Sequence, residues 1–157
     1  MSHSRSRQQP PSSRKFYKLI NSKQAKGIVS NAPDIDCGIE ISTRTRYLEQ
    51  QSEPAKNSYA FSYTITIVNH RHEPVRLIDR HWIITDQNNK VEEVTGKGVV
   101  GQQPVIQPGD SFEYSSGTII GSEIGDMHGS YTMETASGER FEAPIPLFVL
   151  AIPNMIH

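Results

Sequence analysis

The strongest signal in the chain is an alternation of apolar and polar residues with a period of two, the spacing that sends successive side chains of an extended strand to opposite faces. It begins after Asp36, at Ile39 and Ile41. It is clearest from Tyr59 to Val68, where Tyr59, Phe61, Tyr63, Ile65 and Ile67 share one face and Ala60, Ser62, Thr64 and Thr66 the other. This predicts a strand with one buried face. Val75 to Thr85 predicts a second long strand, but Val75 and Leu77 are out of phase with Trp82 and Ile84. A bulge near Ile78 or Asp79 would bring both sets to the core.

Turn chemistry separates the remaining strands. Asp86-Gln87-Asn88-Asn89 predicts a hairpin turn, because Asn and Asp tolerate left-handed backbone, and Val91 to Thr95 returns from it. Gln107-Pro108-Gly109-Asp110 places Pro second and Gly third, a turn that leads into Phe112 and Tyr114. Met127, Gly129, Tyr131 and Met133 alternate with His128, Ser130 and Thr132; Ser137-Gly138 then turns the chain toward Phe141 and Ala143, and Phe148 and Leu150 finish the pattern. Seven or eight short strands with no helical period predict an all-β, antiparallel sandwich of the immunoglobulin/fibronectin type III kind, and exclude a parallel α/β fold. Asp126, Gly129 and Tyr131 also resemble a tyrosine corner, in which the Tyr hydroxyl bonds a backbone group.

A length of 157 residues suits one such domain. With 35% apolar residues and no run near the ~18 that a membrane helix needs, a membrane protein is not expected. The single cysteine, Cys37, excludes a disulfide framework and a multi-thiolate zinc site; it reads as a structural thiol in a cytoplasmic protein. The net charge of -1 hides an asymmetry: residues 1–27 hold seven Lys and Arg and no acid, leaving nine basic against seventeen acidic residues beyond. Residues 1–34 are therefore expected to form a basic, disordered tail, with Pro10-Pro11 blocking a helix and Phe16, Tyr17, Leu19 and Ile20 as a small apolar cluster able to dock as a helical turn. Residues 35–157 form the domain. Its acidic balance repels phosphates, so nucleic-acid binding is expected only through the tail.

Three clusters are candidates for chemistry. Gly96-Lys97-Gly98-Val99-Val100-Gly101 has the GxGxxG spacing that brings backbone amides close to a pyrophosphate, with Lys97 inside the loop and Arg80 and His81 as neighbouring donors. In a dinucleotide fold a helix would follow; here Pro104 and another β pattern follow, so the competing reading is that the glycines serve the backbone where the chain crosses between sheets. His70 and His72 share a face if extended, but two imidazoles are not a metal site, and no metal or cofactor is expected. No Gly-x-Ser-x-Gly elbow is present, Cys37 has no thiol-hydrolase context, and the adjacent Glu92 and Glu93 point to opposite faces of a strand, so catalysis is not expected.

Six ordered segments resemble the ApaG family: Tyr59-Ala-Phe-Ser-Tyr-Thr-Ile-Thr-Ile67, Arg80-His-Trp-Ile-Ile-Thr-Asp86, Gly96-Lys-Gly-Val-Val-Gly-Gln-Gln-Pro104, Tyr114-Ser-Ser-Gly117, Met127-His-Gly-Ser-Tyr131 and Ile145-Pro-Leu-Phe148. The resemblance covers residues 37 to 157. It implies a fibronectin type III-like, non-enzymatic binding domain that mediates protein–protein interaction, as in eukaryotic relatives that attach it to F-box and DNA-polymerase-interacting proteins. It also implies an association with cobalt tolerance and magnesium efflux. Its genetic proximity to diadenosine tetraphosphate hydrolysis supports the alternative, a pyrophosphate or nucleotide sensor using the glycine loop. The long basic N-terminus and His70 and His72 depart from the family pattern.

Overall fold

The computed structural model describes residues 37–154. The expected basic tail, its Phe16–Ile20 cluster and the last three residues lie outside them.

The described residues fold as eight strands: β1 (Ile39–Tyr47), β2 (Tyr59–Asn69), β3 (Val75–Asp86), β4 (Val91–Lys97), β5 (Val105–Ile106), β6 (Ser111–Ile120), β7 (Ile124–Thr135) and β8 (Arg140–Ala151). Every pairing is antiparallel. One sheet has the order β1-β2-β6, the other β4-β3-β7-β8, with the short β5 also on β3. The chain is thus an immunoglobulin/fibronectin type III-like β-sandwich. No helix among the described residues is long and apolar enough to cross a membrane.

The period-two residues meet between the sheets. Phe61, Tyr63, Ile65 and Ile67 from β2 pack with Leu77, Trp82, Tyr131, Met133 and Phe148 from the other sheet. Trp82 is edge-on to Tyr63, Tyr131 and Phe148, at centroid separations of 5.4, 6.3 and 5.8 Å, the arrangement that aromatic quadrupoles favour. The β3 register slips between Leu77 and Asp79, so the required bulge is present and both apolar sets are buried. A second slip, between Met127 and Gly129 where β7 meets β8, has no counterpart in the period-two pattern.

The turns form where their chemistry sits. Asn89 has φ 67°, and the Asp86 carboxylate accepts the Asn88 and Lys90 amides. Asp110 N–H closes the Pro108-Gly109 turn on the Gln107 carbonyl at 2.9 Å. Tyr131 corrects the tyrosine-corner expectation: its hydroxyl bonds the hydroxyl of Tyr114 on β6, joining the two sheets rather than a strand crossing. Both rings are buried between the sheets, Tyr114 at 7% and Tyr131 at 0% exposure, so each hydroxyl finds its partner across the core.

Candidate functional site

The glycine loop is an excursion of one sheet edge. Both β4 and β5 pair with β3, β4 along Asp79 to Thr85 and β5 along Val75 and Arg76, and both run antiparallel to it. Residues 98–104 therefore leave the β3 edge and return to the same edge. This corrects the expected sheet crossing: the register of β4 and β5 on one neighbour leaves no passage to the other sheet.

Within the excursion, Val99 and Gln102 exchange both backbone hydrogen bonds at 2.9 Å, and the two residues between them, Val100 and Gly101, have φ 41° and 79°. Two positive φ angles at the centre of a two-residue loop mark the primed hairpin turns. Val99 is buried at 1% exposure and anchors the turn, whereas Val100 stands 51% exposed. Left-handed backbone at a β-branched residue is an outlier that L-residues avoid.

The glycine spacing has two close-approach causes. A Cβ on Gly96 would lie 2.7 to 2.8 Å from the guanidinium atoms of Arg80, and one on Gly98 would lie 2.2 Å from the Gln102 carbonyl oxygen. Arg80 Nη1 donates to the carbonyls of Lys97 at 3.2 Å and Gly98 at 2.8 Å. The Gly98 amide donates to the Ile78 carbonyl at 2.8 Å, which also accepts Gln103 Nε2 at 3.0 Å. The amides of Gly98, Val99 and Gln102 are thus donated within the protein, so an anion binding there would have to displace them.

Arg80 and His81, expected as neighbouring donors, occupy opposite faces. Arg80 is in phase with Trp82 on the inner side of β3, near the buried tyrosines. His81 faces out and bonds Glu93 at 2.6 Å. Only Arg80 touches the loop that holds Gly96, Lys97, Gly98 and Gly101. A depression open to solvent at this edge is lined by Asp79, Arg80, His81, Thr95, Gly96 and Thr132.

His128, not singled out from the sequence, shares this outer face. It is half-buried, its Nε2 has no hydrogen-bond partner among the described residues, and burial, with His81 nearby, lowers its pKa from the usual 6.5. In the core, burial first, and then each other's proximity, raise the pKa of Tyr131. Tyr114 is raised by burial, partly opposed by its bond to Tyr131. His70 pairs with Glu40 at 2.7 Å, and His72 does not join it; no group of three His, Cys, Asp or Glu able to hold a metal occurs among the described residues. Cys37 is half-buried, its carbonyl accepting Arg71 Nη1 at 2.9 Å.

A family model described as the ApaG domain matches residues 49–135. The chain is 55% identical to Protein ApaG of Ectopseudomonas mendocina over 119 residues, which is 76% of this chain and 94% of that one. The chain belongs to the ApaG family. Protein ApaG of Ralstonia nicotianae is 52% identical over 119 residues, 76% of this chain and 96% of the relative. Among solved structures, a protein from Bordetella pertussis described as ApaA superposes with a TM-score of 0.72 at 45% identity, covering 74% of this chain and 95% of its own. A structural-genomics target solved by X-ray gives 0.74 at 47% identity, covering 79% and 94%. The ApaG match includes β2 through β7, and with them the whole glycine excursion.

Proposed function

We propose that this ApaG domain is a non-enzymatic protein-interaction module whose contact surface is the excursion on the β3 edge. The observation that carries this is the pair Val100 and Val105, exposed at 51% and 45%, the first at the turn of the excursion and the second on β5 where it rejoins the edge. Val100 keeps its side chain in a left-handed backbone that glycine would fill without strain, and strain of this kind is retained where a surface is used. Below the loop, Arg80, Val99 and the paired amides hold it in one shape, so little ordering entropy remains to be lost on binding. The association of the family with cobalt tolerance and magnesium efflux then acts through the partner, in a cytoplasmic setting, with no metal held by the domain.

The rival reading, a pyrophosphate or diadenosine polyphosphate sensor on Gly96, Lys97, Gly98 and Gly101, would use Lys97 and the amides left over by the turn. The test is a comparison of proteins retained by the immobilised full chain and by its Val100→Asp and Val105→Asp forms. A partner held by the first and lost by the others supports the interaction surface. Identical retention by all three, together with thermal stabilisation by diadenosine tetraphosphate, would reverse the ranking.

A further inference from the structure

Among the described residues each sheet ends in strands with one unpaired backbone edge, and natural edges are blunted with proline, charge or interruption. Strand β8 carries the exposed Pro144 and Pro146; β1 carries the exposed Arg44 and Arg46; β4 and β5 are interrupted by the glycine excursion. Strand β6, Ser-Phe-Glu-Tyr-Ser-Ser-Gly-Thr-Ile-Ile, has no proline, no interruption and a single charge over ten residues. Its one charge, Glu113, is drawn back over its own sheet by Arg44 at 3.5 Å and Thr66 at 3.3 Å. Ile119 projects from it at 61% exposure, beside a hollow lined also by Ile84, Asp86, Lys90 and Glu92.

We propose that β6 is a docking edge for an extended, cationic segment of another protein, added to the β1-β2-β6 sheet as a fourth strand. Size selects a single strand as the occupant. Ten residues at ~3.4 Å each, one strand spacing of ~4.8 Å wide, offer a strip of about 160 Å², against roughly 800 Å² per partner for a standard globular interface or dimer. Charge selects its sign. With Glu113 paired to Arg44, the charges left beside the two ends of the strand are Asp86, Glu92 and Asp110 against Lys90, and the segment 28–157 carries nine basic and seventeen acidic residues. Backbone pairing along Ser115 to Thr118 gives affinity, Ile119 offers an apolar contact, and the Asp86/Glu92 hollow takes a lysine or arginine. This edge lies on the other sheet from Val100 and Val105, so the inference does not rest on the loop.

The test is an NMR titration of the isotope-labelled full chain with a nine-residue peptide alternating valine with lysine. The expected result is shifts centred on residues 112–120, slowed exchange of alternate β6 amides, and about tenfold weaker binding to Ile119→Lys and to Glu92→Lys, both surface changes that leave the core intact. A sibling peptide with glutamate for lysine should bind about tenfold more weakly than the cationic one. Val100→Asp should leave the titration unchanged. Shifts away from β6, indifference to both lysine variants, or equal binding of the anionic peptide would each overturn the proposal. So would self-association of the chain that Ile119→Lys abolishes, because the edge would then belong to a second copy.

Discussion

The guanidinium of Arg80 lies face-on against Gly96, with a Cβ at that position placed 2.7 Å from Cζ and 2.7 and 2.8 Å from the two terminal nitrogens. From there Nη1 reaches the Gly98 carbonyl. An arginine on the inner side of β3 is therefore fixed by a side chain missing from β4, and the excursion is hung from it.

Gly96→Ala should force Arg80 away and destabilise the domain by about 1–3 kcal/mol, the usual cost of overpacking. Arg80→Met alone should cost about 1–2 kcal/mol through the carbonyl bonds it loses. Combined, the two changes should cost less than their sum, since the methyl then meets no guanidinium. Denaturant unfolding of the four proteins measures this; strict additivity would mean that the two residues do not share the contact described.

The hydroxyls of Tyr114 and Tyr131 satisfy each other in the core. Tyr114→Phe should leave the Tyr131 hydroxyl buried and unpaired, at a cost of about 1–3 kcal/mol, while the double Phe form should recover much of that loss. A double variant less stable than either single one would show that the pair does more than satisfy itself.

Val100→Gly should relieve left-handed strain. The gain of about 1–2 kcal/mol from the backbone is partly offset by the entropy of glycine, leaving roughly 1 kcal/mol, or a rise of about 2–4 °C in Tm. The same protein should lose partner retention. Greater stability with reduced binding is the outcome that separates a surface kept for contact from an accident of the turn.

His128 makes stability depend on pH. Its folded pKa lies below 6.5 because burial disfavours the imidazolium and His81 adds to the effect. Above 6.5 the ring is neutral in both states and the full stability is present. As pH falls below 6.5 the unfolded chain takes a proton that the folded chain resists, so stability declines down to the lower folded value. Unfolding of wild type and His128→Gln between about pH 7 and pH 5 should show a shallower decline in the variant. Parallel curves would remove His128 from the account.

The alternation alone located the long strands and the bulge in β3, because Val75 and Leu77 cannot reach one core with Trp82 and Ile84 in an unbroken strand. The turns at Asn89 and Gly109 were equally legible, since their chemistry is local. Opposite orientations for Arg80 and His81 also follow from period two, once β3 is known to be regular between them. Other features have no local cause. The excursion returns to the edge it left because β4 and β5 share β3 as neighbour; Gly129 lies where a Cβ would stand 1.9 Å from the His81 carbonyl oxygen; Tyr131 finds Tyr114 across the sheets. The sequence by itself determined which residues face inward along the long strands β2 and β3. Which of them meet, and which edges and valines stay in water, was decided by long-range register and burial, because those depend on the neighbouring strand and not on the residues beside them in the chain.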